Sequence, residues 1–197
     1  MKQIEITTRV LDSLNEVSEK LVKLRFKKIR TSIIDDIYMC QNAMGIEKDS
    51  IPEYLKKSVV IRYLNTGEKI FKKLTYKNKV YNADGMTVSE EKINVDINDI
   101  DKAKSLFLAL NFDEIVRVKY ECIVYERDGL ELALQEVDGL GLLLEYENIN
   151  DFEGIVEDKI IETKKLMLQE IKNLGIKTTD EIDVKKAYEL IEKRLVK

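Results

Sequence analysis

Polar and apolar residues alternate with period two in stretch after stretch of this chain, the pattern of strands that keep one face out of water. In Gln3-Ile4-Glu5-Ile6-Thr7-Thr8-Arg9-Val10 the residues Gln3, Glu5, Thr7 and Arg9 share a face. A strand is expected between Ile29 and Tyr38, and two more from Ser58 to Lys77, meeting at the glycine-bearing hairpin Asn65-Thr66-Gly67-Glu68. The second of these places Lys69, Phe71, Lys73, Thr75 and Lys77 on one side and Ile70, Leu74 and Tyr76 on the other. Another, Glu91 to Ile97, sets Lys92, Asn94 and Asp96 against Ile93, Val95 and Ile97. Glu114 to Glu126 follows, then Arg127-Asp128-Gly129 as a tight hairpin before Leu130 to Gln135, and a last strand from Leu142 to Glu147.

The period changes to that of helices at four places. Ser13 and Glu16 fit a capping box ahead of the apolar stripe Leu14, Val17, Leu21 and Leu24, and Ala103, Leu106, Phe107 and Leu110 have helical spacing. Two more helices are expected from Glu157 to Leu174, stopped by Gly175, and from Val184 to Val196. The only proline, Pro52, fits the start of a short helical turn. A charged face on strand after strand has two explanations: a sheet with that side in water, or a sheet curled until the polar sides face inward. Periodicity leaves both open.

Composition narrows the chemistry. With 33 basic and 37 acidic residues in 197, a formal charge of −4 gives no general footprint for nucleic acid. No apolar run approaches the length of a membrane span and the N-terminus alternates where a signal peptide would be apolar, so no membrane is expected and a cytoplasmic location is. Cys40 and Cys122 lack metal-ligand spacing and are expected to be reduced and structural. The absence of histidine removes Ser-His-Asp triads, Cys-His pairs and imidazole-bound zinc, leaving carboxylates, Lys, Arg and Tyr.

The stretch Leu134-Gln135-Glu136-Val137-Asp138-Gly139-Leu140-Gly141-Leu142-Leu143-Leu144-Glu145-Tyr146-Glu147 resembles a phrase of the CYTH superfamily, the class IV adenylate cyclases and thiamine triphosphatases. Asp36-x-Tyr38, Ile61-Arg62 and Leu74-Thr75-Tyr76-Lys77 match further motifs in the same order, over about residues 1 to 150. The resemblance implies an α+β fold: one domain built on a closed antiparallel eight-stranded barrel, a triphosphate tunnel spanning residues 1–150. Helices would pack outside it, with a helical tail over residues 151–197. It further implies a triphosphate-bearing partner such as ATP or thiamine triphosphate, with Mg²⁺ or Mn²⁺ as cofactor, since hard cations take oxygen ligands. By the resemblance Glu5, Glu145 and Glu147 are the metal ligands; Arg62, Lys73 and Lys77 grip phosphate, and Arg9, one step beyond the expected position, joins them.

Departures fall on the same face. Gln3, Thr7, Val60, Lys92, Asn94 and Gln135 stand where the family carries Glu, Lys, Arg, Glu, Glu and an acid, and Tyr120 and Cys122 occupy positions of expected bases. Arg117 and Lys119 substitute for those bases only through a bulge or shifted register. Three readings stay open: an enzyme making cyclic AMP and diphosphate from ATP or hydrolysing thiamine or inorganic triphosphate; a catalytically degenerate nucleotide- or polyphosphate-binding module; and a partner-binding protein. The C-terminal helices could support a homodimer, though charged amphipathic tails more often pack on their own domain.

Overall fold

A computed structural model describes residues 4–43, 45–82, 85, 87–148 and 157–196. Eight strands form one antiparallel sheet: β1 (Ile4–Arg9), β2 (Lys27–Gln41), β3 (Lys57–Asn65), β4 (Ile70–Tyr81), β5 (Thr87–Asp96), β6 (Phe112–Arg127), β7 (Leu130–Val137) and β8 (Gly141–Asn148). Their order is β1-β8-β7-β6-β2-β3-β4-β5. The helices are α1 (Leu14–Lys23), α2 (Ile51–Lys56), α3 (Ile100–Ala109), α4 (Glu157–Asn173) and α5 (Lys186–Leu195). The class is α+β, with most expected elements present to within a few residues. The chain divides into two compact units, Met1–Thr31 with Glu121–Val184 and Ser32–Tyr120 with Lys185–Lys197, so that β2 and β6 contribute to both.

In the first unit α1 and α4 cover one face of β1, β8 and β7. Val17 and Leu21 of α1 and Ile160, Met167, Leu168 and Ile171 of α4 form a buried cluster with Ile4, Ile6, Leu132, Leu134 and Leu144. Each large aliphatic side chain removed from water there contributes about 1.5–3 kcal/mol. The expected capping box is made: the Ser13 backbone N–H donates to Glu16 Oε2 at 2.8 Å, and Glu16 N–H donates to Ser13 Oγ at 3.4 Å.

An edge strand normally exposes a row of backbone donors and acceptors. Here residues 177–184 lie along the free edge of β1. Leu11 N donates to Lys177 O at 2.8 Å, Thr179 N to Arg9 O at 3.0 Å and Val184 N to Thr7 O at 2.9 Å. The closed barrel is therefore not made by strand pairing among the described residues. The order has two ends, β1 and β5, and the outer edge of β1 is already occupied by residues 177–184.

In the second unit α3 packs its Ala103 and Phe107 against Ile37, Met39, Val59, Ile61, Leu74 and Tyr76, the apolar side of β2, β3 and β4. Phe107 meets Phe112 edge to face at 5.1 Å between ring centroids. The side away from α3 carries the charge.

Candidate functional site

Register determines which side chains share that second face, because directly opposed residues of an antiparallel pair point the same way. Asp36 pairs with Arg62, Arg62 with Lys73, and Lys73 with Asp96, forming one row across four strands. The next row is Tyr38, Val60, Thr75 and Asn94; the third is Ser58, Lys77 and Lys92; and the last is Lys79 with Glu90. Arg62, Lys73 and Lys77 thus share one sheet face: the period-two pattern groups Lys73 with Lys77, and the register of β3 and β4 adds Arg62.

Arg62 is fixed by a two-point contact. Its Nε donates to Asp36 Oδ1 at 2.7 Å and its Nη2 to Asp36 Oδ2 at 2.6 Å, while Asp36 itself is almost wholly buried. Burial works against the guanidinium's charge, but the hydrogen bonds and charge of Asp36 outweigh it and hold the pKa well above the ordinary arginine range. The Nη1 donors are not taken up by Asp36, so the pair presents a fixed cation with donors in reserve.

The Lys77 side chain is largely buried beside Tyr38, its Nζ 5.8 Å from the ring centroid. Burial alone would lower its pKa; the nearby Tyr38 and Glu90 raise it above the ordinary value, so the ammonium stays charged. Lys79 and Lys92 stand near it, and all three surround Glu90: Nζ of Lys77 and of Lys79 each lie 3.6 Å from Oε1, and Nζ of Lys92 lies 2.9 Å from Oε2. The carboxyl is held down at about 2, the lysines outweighing the upward push of burial. In the same unit the Lys186 ammonium of α5 stands 4.9 Å from the ring centroid of Tyr120.

Arg117 and Lys119 do not join this face. Both are exposed and alternate with buried Val118 and Tyr120. Arg117 grips Asp35, one residue from Asp36 and so on the opposite side of β2, with two contacts of 2.6 Å.

The first unit holds the expected carboxylates. Glu5 is directly opposite Glu147 and Thr7 opposite Glu145, so Glu5, Glu145 and Glu147 share one side of β1 and β8. Gln135, standing where an acid was expected, donates from Nε2 to Glu145 Oε2 at 3.0 Å. Arg9 lies on that side too, with Nη1 donating to Leu140 O at 3.1 Å and Nε to Glu181 Oε2 at 3.4 Å. Gln3 lies outside the described residues. Among the described residues no group of three or more Asp, Glu, Cys or His is arranged to hold a metal ion. Both cysteines are buried and neither is in a disulfide, and burial pushes the Cys40 thiol up to about 12, which leaves it unreactive.

Three residues of the basic face escaped the sequence reading: Asp36 as the anchor of Arg62, Lys79, and Glu90. Lys79 was reachable by extending the parity of Lys73 and Lys77 by two positions. Glu90 was reachable by extending that of Lys92 back by two. The anchoring role of Asp36 had no signal along one strand.

No family model matches the chain. A protein of Methanocaldococcus jannaschii carrying the name "putative adenylate cyclase" is 31% identical over 189 residues, 95% of this chain and 97% of that one. The chain belongs to this CYTH-like family. A solved structure from Pyrococcus horikoshii OT3 superposes on the family member described here with a TM-score of 0.72, covering 98% and 99% of the two chains at 23% identity. Another, from Vibrio parahaemolyticus and bearing the same cyclase name, gives 0.66 with 98% of each chain covered at 13% identity. At such identities these two likenesses show a shared fold. No helix among the described residues is long and apolar enough to cross a membrane.

Proposed function

We propose that this protein binds the triphosphate group of a small molecule on the face carrying Arg62, Lys73 and Lys77, and acts on ATP in the manner of an adenylate cyclase. The reaction would form cyclic AMP and release diphosphate. The observation that carries the reading is the set of cations on one sheet face: a guanidinium locked by Asp36, with Lys73 directly opposite it and Lys77 four residues further along the same strand. A polyanion needs several cations already in place, because ordering them at the moment of binding costs side-chain entropy. The cyclase name of the family member from Methanocaldococcus jannaschii supports ATP as the substrate.

In this reading Arg62 and Lys77 hold phosphate oxygens and neutralise the charge that develops on the leaving diphosphate. Lys73, in the row of Arg62, extends the grip along the strand. Arg9 is engaged with Leu140 and Glu181 and is assigned no catalytic step. No step is routed through a metal held by Glu5, Glu145 and Glu147; a divalent ion arriving on the nucleotide's phosphates is part of the substrate. The test is to incubate the protein with ATP and follow cyclic AMP and diphosphate. Equal amounts of both, abolished by Arg62→Ala, are expected; no cyclic AMP above a protein-free control contradicts the cyclase reading. Release of inorganic phosphate from thiamine triphosphate or tripolyphosphate would redirect it to a triphosphatase.

A second reading has its own observation. Among the described residues no three carboxylates are arranged to hold a metal ion, Glu145 is hydrogen-bonded by Gln135, and Val60 replaces an expected arginine. A binding module that retains a nucleotide or polyphosphate without converting it fits those features, and binding without turnover is its signature.

A further inference from the structure

Four residues on β4 and β5 form a square on the basic face: Lys77 is opposite Lys92, and Lys79 opposite Glu90. Like charges facing each other across a ladder destabilise it. Glu90 relieves this by standing among all three ammonium groups. Its contacts are unequal, however. Oε2 has a direct contact with Lys92 at 2.9 Å, whereas Oε1 is buried, accepts no hydrogen bond, and is 3.6 Å from the ammoniums of both Lys77 and Lys79. A made N–H to carboxylate bond is about 2.7–2.9 Å, so Oε1 touches neither lysine properly. One carboxylate against three cations also leaves the square with excess positive charge, and the side chains of Lys77, Lys79 and Glu90 are only 14%, 21% and 17% exposed. Partly buried charge without its full counter-charge is costly. A multiply charged anion would supply what Glu90 supplies in part.

We propose that Glu90 is a resident counter-ion occupying a phosphate subsite, displaced from Lys77 and Lys79 when a polyphosphate binds. The subsite consists of Lys77, Lys79 and Lys92, and its ligand class is a terminal phosphate or diphosphate group carrying two or more negative charges. Affinity is then set by competition between the ligand and the protein's own carboxylate. Without ligand, Glu90 keeps three like charges together; with ligand, each lysine gains an oxygen within hydrogen-bonding reach.

The inference rests on the triphosphate reading and is tested separately from turnover. Inorganic tripolyphosphate is titrated calorimetrically into the full-length protein in a chelator-containing buffer, with Glu90→Gln and Lys79→Met alongside wild type. Removing the competing carboxylate should tighten binding about fivefold or more, and removing Lys79 should weaken it by a similar factor. Wild-type binding with Glu90→Gln no tighter overturns the displacement, while no wild-type binding removes the triphosphate reading itself. A measurement on wild type alone does not depend on the variants folding. The Glu90 carboxyl, followed by carbon-detected NMR, should leave its titration at about 2 and move toward the ordinary carboxylate range when tripolyphosphate is present. A titration that stays in place overturns the proposal.

Discussion

Asp36 and Arg62 illustrate how a buried acid prepares a cation for work. The carboxylate is enclosed and takes two guanidinium bonds, while about a third of the Arg62 side chain remains exposed. Asp36→Asn removes the charge that fixes Arg62. It should cost about 2 kcal/mol of stability in denaturant unfolding, less than breaking a fully buried pair because of that exposure. ATP affinity should fall with it, since a mobile guanidinium must be ordered on binding. Glu90 gives a pH prediction. Its folded pKa of about 2 lies below the ordinary value of 4.5, so it contributes stability above about pH 4.5 that is lost as pH falls toward 2. The contribution is on the order of 3 kcal/mol. Glu90→Gln should be less stable than wild type at neutral pH, and the difference should shrink across that acid window in thermal melts at stepped pH.

At the scale of elements, caps and edges carry consequences that single contacts do not. Ser13→Ala removes one half of the capping box of α1 and should lower stability by about 1 kcal/mol, read from the shift in denaturation midpoint at constant m. Asp12 joins three pieces of the first unit: its Oδ2 accepts from Lys20 Nζ at 2.6 Å and from the Lys177 backbone N–H at 2.9 Å. Those contacts hold its carboxyl below the usual range. Asp12→Ala leaves the Lys177 donor without its partner, and a loss of about 2 kcal/mol is expected, with faster amide exchange along the outer edge of β1. These elements also show what the sequence could reveal. Period two assigned Lys73, Lys77, Lys92 and Asn94 to the correct faces because alternation is a property of one strand. It did not reveal that Asp36 meets Arg62, since that depends on register between strands. Nor did it reveal the cover over β1: Lys177-Thr178-Thr179-Asp180 is a polar stretch without periodicity, bound through its backbone. Glu90 was lost to a boundary, because the expected strand began at Glu91 and the observed one begins at Thr87.

For the whole molecule, the departures from the family's pattern fall on expected acids and expected bases alike, yet Arg62, Lys73 and Lys77 remain together on one sheet face. Uncharged or basic residues occupy positions of expected acids: Asn94, Lys92 and Gln135. Polyphosphate binding should therefore survive removal of divalent cations better than turnover does. The measurement that tests the central claim most directly is calorimetric titration of ATP into wild type, Arg62→Ala and Lys77→Met. Wild type is predicted to bind and each variant to lose at least about tenfold in affinity, the effect of about 1.4 kcal/mol of lost charge-assisted contact. Equal affinity in all three proteins, or no binding by wild type, would contradict the assignment of this face.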